Sequence, residues 1–269
     1  MDFLLPEAFF DLNFFSHREL FSPCRHVWEA LEHLPSYLKA NLEGNVQSLG
    51  FFRQPLPRTL LLWEGKVWKD DFELLGGDVT KGTFRVRVAG KETTEAVVLY
   101  AGSVLWDEDI YLGPGSVVEP GALLKGPTWI GAHTEIRQGA YVRGKCIVGD
   151  RCVVGHTTEM KSSIMLNGAK AGHFAYIGDS ILGEDCNLGA GTKLANLRIR
   201  EGSVRLKIAD RTMDTGLRKF GAILGDRVEI GCNAVTNPGA LLGKGCVVLP
   251  LTSVPAGYYG PKTLLRHKG

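Results

Sequence analysis

Residues 103–162, cut into sixes, read SVLWDE DIYLGP GSVVEP GALLKG PTWIGA HTEIRQ GAYVRG KCIVGD RCVVGH TTEMKS. The fourth place of each six is apolar ten times in succession: Trp106, Leu112, Val118, Leu124, Ile130, Ile136, Val142, Val148, Val154 and Met160. A period of six matches neither a lone amphipathic helix, at about 3.6 residues, nor a meander with turn clusters every 8–12 residues or so. It matches stacked hexapeptides, each giving one short strand and one corner with the apolar residue pointing inward. Glycine suits such corners because positive φ costs it nothing sterically. Coils stacked in parallel pass hydrogen bonds from one to the next around a column of aliphatic side chains. The fold class is therefore all-β, a parallel β-helix of hexapeptide repeats.

The chain of 269 residues is long enough for a large core and one or two domains, and its 34 glycines suit many corners. A net charge of +2 creates no global field that calls for nucleic acid or a membrane surface as partner. Cys24, Cys146, Cys152, Cys186, Cys232 and Cys246 form no CxxC pair and no zinc pattern, and no metal site is expected. Cys146 and Cys152 hold the same place in adjacent sixes, which puts them on neighbouring faces rather than in a disulfide. All six read as reduced residues of a cytoplasmic protein. The start, MDFLLPEAFF, lacks a basic region and meets a proline after five residues, so it does not read as a signal peptide. No apolar run reaches the roughly 18 residues a membrane span needs.

Working outward toward the N-terminus, residues 1–95 do not follow the period of six. Ser22-Pro23 reads as a helix start, with Val27, Ala30, Leu31, Leu34 and Leu38 on one face and a break or kink at Pro35. Strands are expected at Thr59–Trp63, at Lys66–Trp68 across a Glu64-Gly65 turn, and at Thr83–Val88, where Phe84, Val86 and Val88 alternate. Ala96–Tyr100 leads into the first coil. Residues 1–95 are thus expected to form a small α+β cap on the open end of a β-helix spanning 96–269, where bare strand edges would otherwise invite pairing. After Met160 the phase shifts. Met165, Ala171 and Ile177 keep the period, a five-step reaches Leu182, and Leu188 and Leu194 follow. A third phase runs Leu224, Ile230, Thr236, Leu242, Val248 and Val254. Between them lies an inserted arm at about 197–221. Val204, Leu206 and Ile208 alternate there with Arg205 and Lys207 as in a hairpin, and the basic surplus reads either as a solvated loop or as a protruding arm that offers cations to phosphates.

No phosphate-binding GxxxxGK[ST] loop, strand–helix GxGxxG or GxSxG elbow occurs. Polar residues crowd instead where the register slips: His156, Glu159, Lys161, Lys170, His173, Tyr176, Asp179, Asn187 and Asn196. In order these give Glu159-Met160-Lys161, then Lys170-Ala171-Gly172-His173-Phe174-Ala175-Tyr176-Ile177-Gly178-Asp179, then Asn187-Leu188-Gly189-Ala190-Gly191-Thr192. This E-M-K, K-x-x-H-x-x-Y-x-G-D, N-x-G-A-G-T series resembles the acetyltransferase domain of bifunctional N-acetylglucosamine-1-phosphate uridyltransferase/glucosamine-1-phosphate acetyltransferases and their sugar-1-phosphate nucleotidylyltransferase relatives, over residues 100–269 or thereabouts. The resemblance implies a left-handed β-helix and a homotrimer with its site between subunits. It implies His173 as catalytic base with Asn196 beside it, and Arg137, Lys161, Tyr176, Asn187 and Lys219 toward the sugar phosphate. Gly189, Ala190, Gly191, Cys232 and Pro250 fall toward acetyl-CoA, the expected co-substrate. The sequence departs from the family where Leu197-Arg198 replaces Tyr-Asp and where Cys232 replaces a serine. The family's glycine-rich LxAGxGxRM segment does not occur, so uridyl transfer is not expected.

The implied chemistry is N-acetyl transfer to an amino-sugar phosphate. An ammonium cannot attack a thioester, so a base must take its proton, and histidine changes charge near neutral pH. Backbone N–H groups at Gly189–Gly191 are candidate oxyanion donors. One alternative is a γ-class carbonic anhydrase, but His133, His156 and His173 lack that family's H-x4-H pair. The other is a catalytically silent sugar-nucleotide-binding or scaffold protein that has kept the pocket.

Overall fold

The computed structural model describes residues 2–208 and 211–267; Asp210 of the basic stretch and the Arg211 side chain lie outside the described set. Strands of two to four residues stack into three parallel sheets that close into a left-handed β-helix of about nine coils. In each coil the chain runs through a first face (Glu135–Ile136, Val153–His156, Lys170–His173, Asn187–Leu188 and their counterparts). A second follows (Tyr141–Val142, Glu159–Lys161, Tyr176–Gly178, Lys193–Leu194), then a third (Cys146–Val148, Ser163–Met165, Ile181–Leu182, Ala222–Leu224). The inward residues of all three phases are buried in one continuous core. One place in the pattern differs: Leu105, not Trp106, fills the inward position of its coil, and Trp106 turns outward with 37% of its surface exposed. The polar Thr236 stands in the core column with its hydroxyl unpartnered.

Corners explain both the glycine content and the register slips. Where the first face turns into the second, Gly102, Gly121, Gly139, Thr157, Phe174, Gly191, Asn233 and Leu251 all have positive φ. Where the second turns into the third, the five-residue steps Met160–Met165 and Ile177–Leu182 are tightened corners, and they hold Ser162 (φ 46°) and Asp179 (φ 44°) in the left-handed region. Cys146, Cys152 and Cys186 are small inward residues beside corners; all six cysteines are free, and only Cys232 is exposed. Burial pushes the Cys146 thiol up to about 12.

The N-terminal residues do two jobs. Residues 46–63 close the first coil, with Val46, Leu49, Leu56 and Leu60 entering the core and Leu60–Trp63 pairing antiparallel with Val97–Leu99. Residues 3–45 instead form a strap along the third face, from the last coil to the first. Phe3 packs on Tyr258 at 4.9 Å, and the Asp11 N–H donates to Asp226 at 2.7 Å. Further along, Asn167 donates to the Phe14 carbonyl at 2.9 Å, His17 meets the Trp129 ring at 4.6 Å, and Asn45 bonds Leu112 in both directions at 2.9 Å. The strap covers an outward apolar column of Ile147, Ile164, Ile181, Ile223 and Leu241. Its helix begins at Glu29 rather than Ser22, whose hydroxyl is taken up by Glu19, and Pro35 sits inside it. The lost backbone bond is outweighed by burial of Ala30, Leu34 and Leu38.

The arm does not protrude as a whole. Its hairpin, Arg205–Ile208 with Arg211–Asp214, folds back on its own chain and buries Val204, Leu206 and Ile208 against the strapped face. A Cβ on Gly239 would meet Leu206 at 2.6 Å and Val204 at 2.7 Å. Among the described residues the base of the arm stands free, with Leu197 49% exposed and Ile199 fully so.

Candidate active site

Two groupings emerge on the uncovered faces. The first lies at the tightened corner of the second face. Lys161 Nζ is 3.0 Å from Asp179 Oδ2 and 3.3 Å from Oδ1. The Asn196 amide donates to the same Asp179 carboxylate, and the Tyr176 hydroxyl donates to Asn196 Oδ1 at 3.3 Å. Burial first, then the nearby Glu159 and Asp179 charges, raise the Tyr176 pKa and keep its hydroxyl protonated as a donor. Gly178 makes the grouping possible, because a Cβ there would come within 2.7 Å of both Asn196 Nδ2 and Tyr176 OH. Sequence reasoning named Lys161, Tyr176 and Asn196 but gave no role to the residue that joins them, Asp179. The signal was the five-step itself, since Asp179 occupies the shortened corner.

The second grouping is a column at the corner between the first and second faces. His156 pairs in register with His173, and the Gly191 N–H donates to the His173 carbonyl at 3.0 Å. The Asn233 N–H donates to the Ala190 carbonyl at 2.8 Å and the Leu251 N–H to the Cys232 carbonyl at 3.0 Å. This ladder stacks His156, His173, Ala190, Cys232 and Pro250 one above another, a coil apart each. His173, Cys232 and Pro250 are exposed. The sequence-predicted base and the acetyl-CoA residues thus fall on one line, although they lie far apart in the chain. Phe174, beside His173, projects half-exposed from the corner and sets its ring edge-on to His156 at 5.3 Å.

Several expectations change in detail. The Gly189 and Gly191 N–H groups already donate to the Ile230 and His173 carbonyls, at 2.7 and 3.0 Å, so they are not free oxyanion donors. The Ala190 N–H makes no backbone bond among the described residues. Arg137 lies on the first face, bound to Glu135 at 2.6 Å, while the arginine one coil before Lys161 is Arg143, bound to Glu159 at 2.7 Å. Asn187 is also on the first face and donates to Glu229 at 3.0 Å. Lys219 is exposed at the foot of the arm, where Leu197 bridges to it. His133 sits at a different corner, 3.6 Å from Glu95, and no cluster of three or more metal-ligating side chains occurs among the described residues. No helix of the described residues is long and apolar enough to cross a membrane.

A left-handed hexapeptide β-helix with polar residues gathered at two of its corners defines the class of protein. More particularly, residues 124–263, just over half of the chain, match the family described as the GMPPB C-terminal domain, and the chain belongs to that family. A bifunctional sugar-1-phosphate nucleotidylyltransferase/acetyltransferase of Sulfurisphaera tokodaii is 35% identical over 151 residues, 49% of this chain and 38% of its own. The bifunctional protein GlmU of Methanocaldococcus jannaschii is 37% identical over 107 residues, 40% of this chain and 26% of its own. The chain thus spans well under half the length of these relatives. Among solved structures, the UDP-N-acetylglucosamine acyltransferase from Campylobacter jejuni aligns at a TM-score of 0.36 and 20% identity, over 62% of this chain and 70% of that one. The resemblance read from the E-M-K, K-x-x-H-x-x-Y and N-x-G-A-G-T motifs is borne out at the level of family.

Proposed function

We propose that the protein is an acetyl-CoA-dependent N-acetyltransferase acting on an amino-sugar phosphate in the cytoplasm, with residues 96–269 as the catalytic unit and residues 1–95 as its cap and strap. The carrying observation is the corner column, which sets His173 in line with Ala190, Cys232 and Pro250. Acetyl-CoA laid along that line brings its thioester to His173. The base takes a proton from the acceptor amine as nitrogen attacks the carbonyl carbon. The C–N bond forms, the C–S bond breaks, and the proton passes to the departing thiolate. Lys161, Tyr176 and Asn196 hold the sugar phosphate, with Lys161 exchanging part of its bond to Asp179 for the phosphate. His173 ends a first-face strand, and Asp179 stands at the far corner of the second-face strand that follows it, Tyr176–Gly178. The family resemblance implies a homotrimer, in which the corner of one copy meets the second face of another.

A catalytically silent sugar-nucleotide binder is the second reading. It needs no base at His173 and draws on the same cations, Arg137, Arg143 and Lys161, each paired with a carboxylate of its own chain. Release of free thiol from acetyl-CoA, measured against a panel of amino-sugar phosphates, separates the two. Acceptor-dependent thiol release is expected; none with any amino sugar leaves the silent reading.

A further inference from the structure

The second face carries an outward column of which the acetyl-transfer reading uses only the last member, Lys161. Trp106, Lys125, Arg143 and Lys161 occupy the same outward place in four successive coils, as the ladder bonds from Trp106 N to Leu124 O, Lys125 N to Val142 O and Arg143 N to Met160 O establish. Lys125 Nζ lies 5.0 Å from the Trp106 ring and 5.6 Å from that of Tyr141, and the Arg143 guanidinium lies 5.9 Å from Tyr141. Arg143 and Lys161 have carboxylate partners; Lys125 has none within ion-pair distance among the described residues. At its far end the column runs into an open cleft of about 480 Å³ lined by Phe52, Arg53, Trp106, Asp107, Glu108 and Asp109. Trp106 is the residue that the period of six would have turned inward; its outward ring is not needed to fill the core, where Leu105 stands.

From the cleft to the Asp179 corner, the order of chemistry is aromatic wall with carboxylate acceptors, unpaired cation, second cation, then Lys161 with Tyr176 and Asn196. Three coil steps of about 4.8 Å separate Trp106 from Lys161, roughly 14 Å. A base, a ribose and two phosphates laid end to end have that order and that reach. Aromatic rings take a base face, carboxylates accept its N–H donors, and cations take phosphate oxygens. Asp107, Glu108 and Asp109 outnumber Arg53 in the cleft and disfavour phosphate there, which fixes the direction in which such a ligand would lie.

We propose that the second face is a nucleoside-diphosphate site, with the base in the Phe52–Trp106 cleft and the phosphates on Lys125 and Arg143. Resting on the placement of the sugar phosphate at Lys161 proposed above, with the distal phosphate shared between Arg143 and Lys161, this makes the acceptor an amino sugar carried on a nucleoside diphosphate rather than a free sugar phosphate.

The test is titration calorimetry and saturation-transfer NMR on the whole chain without acetyl-CoA, using GDP, ADP, UDP and pyrophosphate as probes. At least one nucleoside diphosphate should bind about ten-fold or more tightly than pyrophosphate, with saturation transfer to its base protons. Trp106→Ala should reduce that ligand to the pyrophosphate level and leave pyrophosphate itself unchanged. Trp106→Tyr should retain most of the gain, which separates stacking from a folding defect, and Lys125→Ala should weaken both ligands. Equal affinity of all probes, or a Trp106→Ala protein that binds as wild type does, overturns the proposal. Because no acetyl donor is present, nucleotide binding in a protein that fails to release thiol would uphold this site and sink the acetyltransferase reading. Acetylation of a free amino-sugar phosphate without nucleotide binding would do the reverse.

Discussion

The third face and the second face share one backbone plan and one inward column, yet they meet the outside in opposite ways. On the third face the outward residue ahead of the inward one is Ile147, Ile164, Ile181, Ile223 or Leu241 in the middle coils and an aromatic (Tyr111, Trp129, Tyr258) toward the ends, and the N-terminal strap lies over the aliphatic column. On the second face the comparable place in the middle coils holds Tyr141, Glu159, Tyr176 or Lys193, and it stays open there. In a β-helix the inward residue specifies the coil and the outward residue specifies what the coil touches. The strap therefore assigns roles: it removes the third face from use and leaves two faces and their shared corner for ligands or other copies.

Charge placed under the strap breaks the comparison most severely. Ile164→Asp buries an uncompensated carboxylate and should cost about 4 kcal/mol or more in urea unfolding, while Lys193→Asp on the open face should stay within roughly 0.5 kcal/mol. Equal effects would mean that the strap is not a stable part of the fold.

Acid should loosen the same boundary. His17 is buried against Trp129, within hydrogen-bond reach of Tyr37 at 3.1 Å, and its Nε2 is unpartnered. Burial pulls its pKa from 6.5 down to about 4, against an opposing pull from Asp150. The unfolded chain then binds a proton that the folded chain refuses. This contribution to stability is complete above about pH 6.5 and is lost as pH falls through about 4, some 3 kcal/mol in all. Comparing urea midpoints at neutral and acid pH, His17→Gln should show a smaller acid loss than wild type; an unchanged loss would place the acid sensitivity elsewhere.

The smallest effect concerns the open corner. Phe174 holds φ at 53° while half its ring is in solvent. Phe174→Gly should relieve that backbone and raise stability by about 0.5–1 kcal/mol, whereas Gly191→Ala, at φ 77° and with its Cβ against Asn233, should lower it. A destabilised Phe174→Gly would show that the ring is packed rather than offered.

The period of six was enough to read the core except at Trp106, where Leu105 stands inward instead, because each inward residue repeats once per strand whatever the face. The faces themselves repeat only once per coil, about every 17 or 18 residues, so the column of isoleucines under the strap and the column from Trp106 to Lys161 were present in the sequence but invisible at a period of six. The motifs carried His173, Lys161, Tyr176 and Asn196. They did not carry Asp179, whose importance comes from a corner one residue short, or the pairing of Arg137 with Glu135, which depends on the face it occupies. The arm's alternating Val204, Leu206 and Ile208 were legible as a hairpin, but the surface that receives them is built by the strap and the last coils, far away in sequence.

The role of His173 as base of the open corner is decided by the turnover of His173→Ala on the best acceptor in the thiol-release assay. A fall in kcat of roughly 10²–10⁴ is expected with KM for acetyl-CoA nearly unchanged, since the base acts mainly in the transition state. Wild-type turnover in His173→Ala would contradict it.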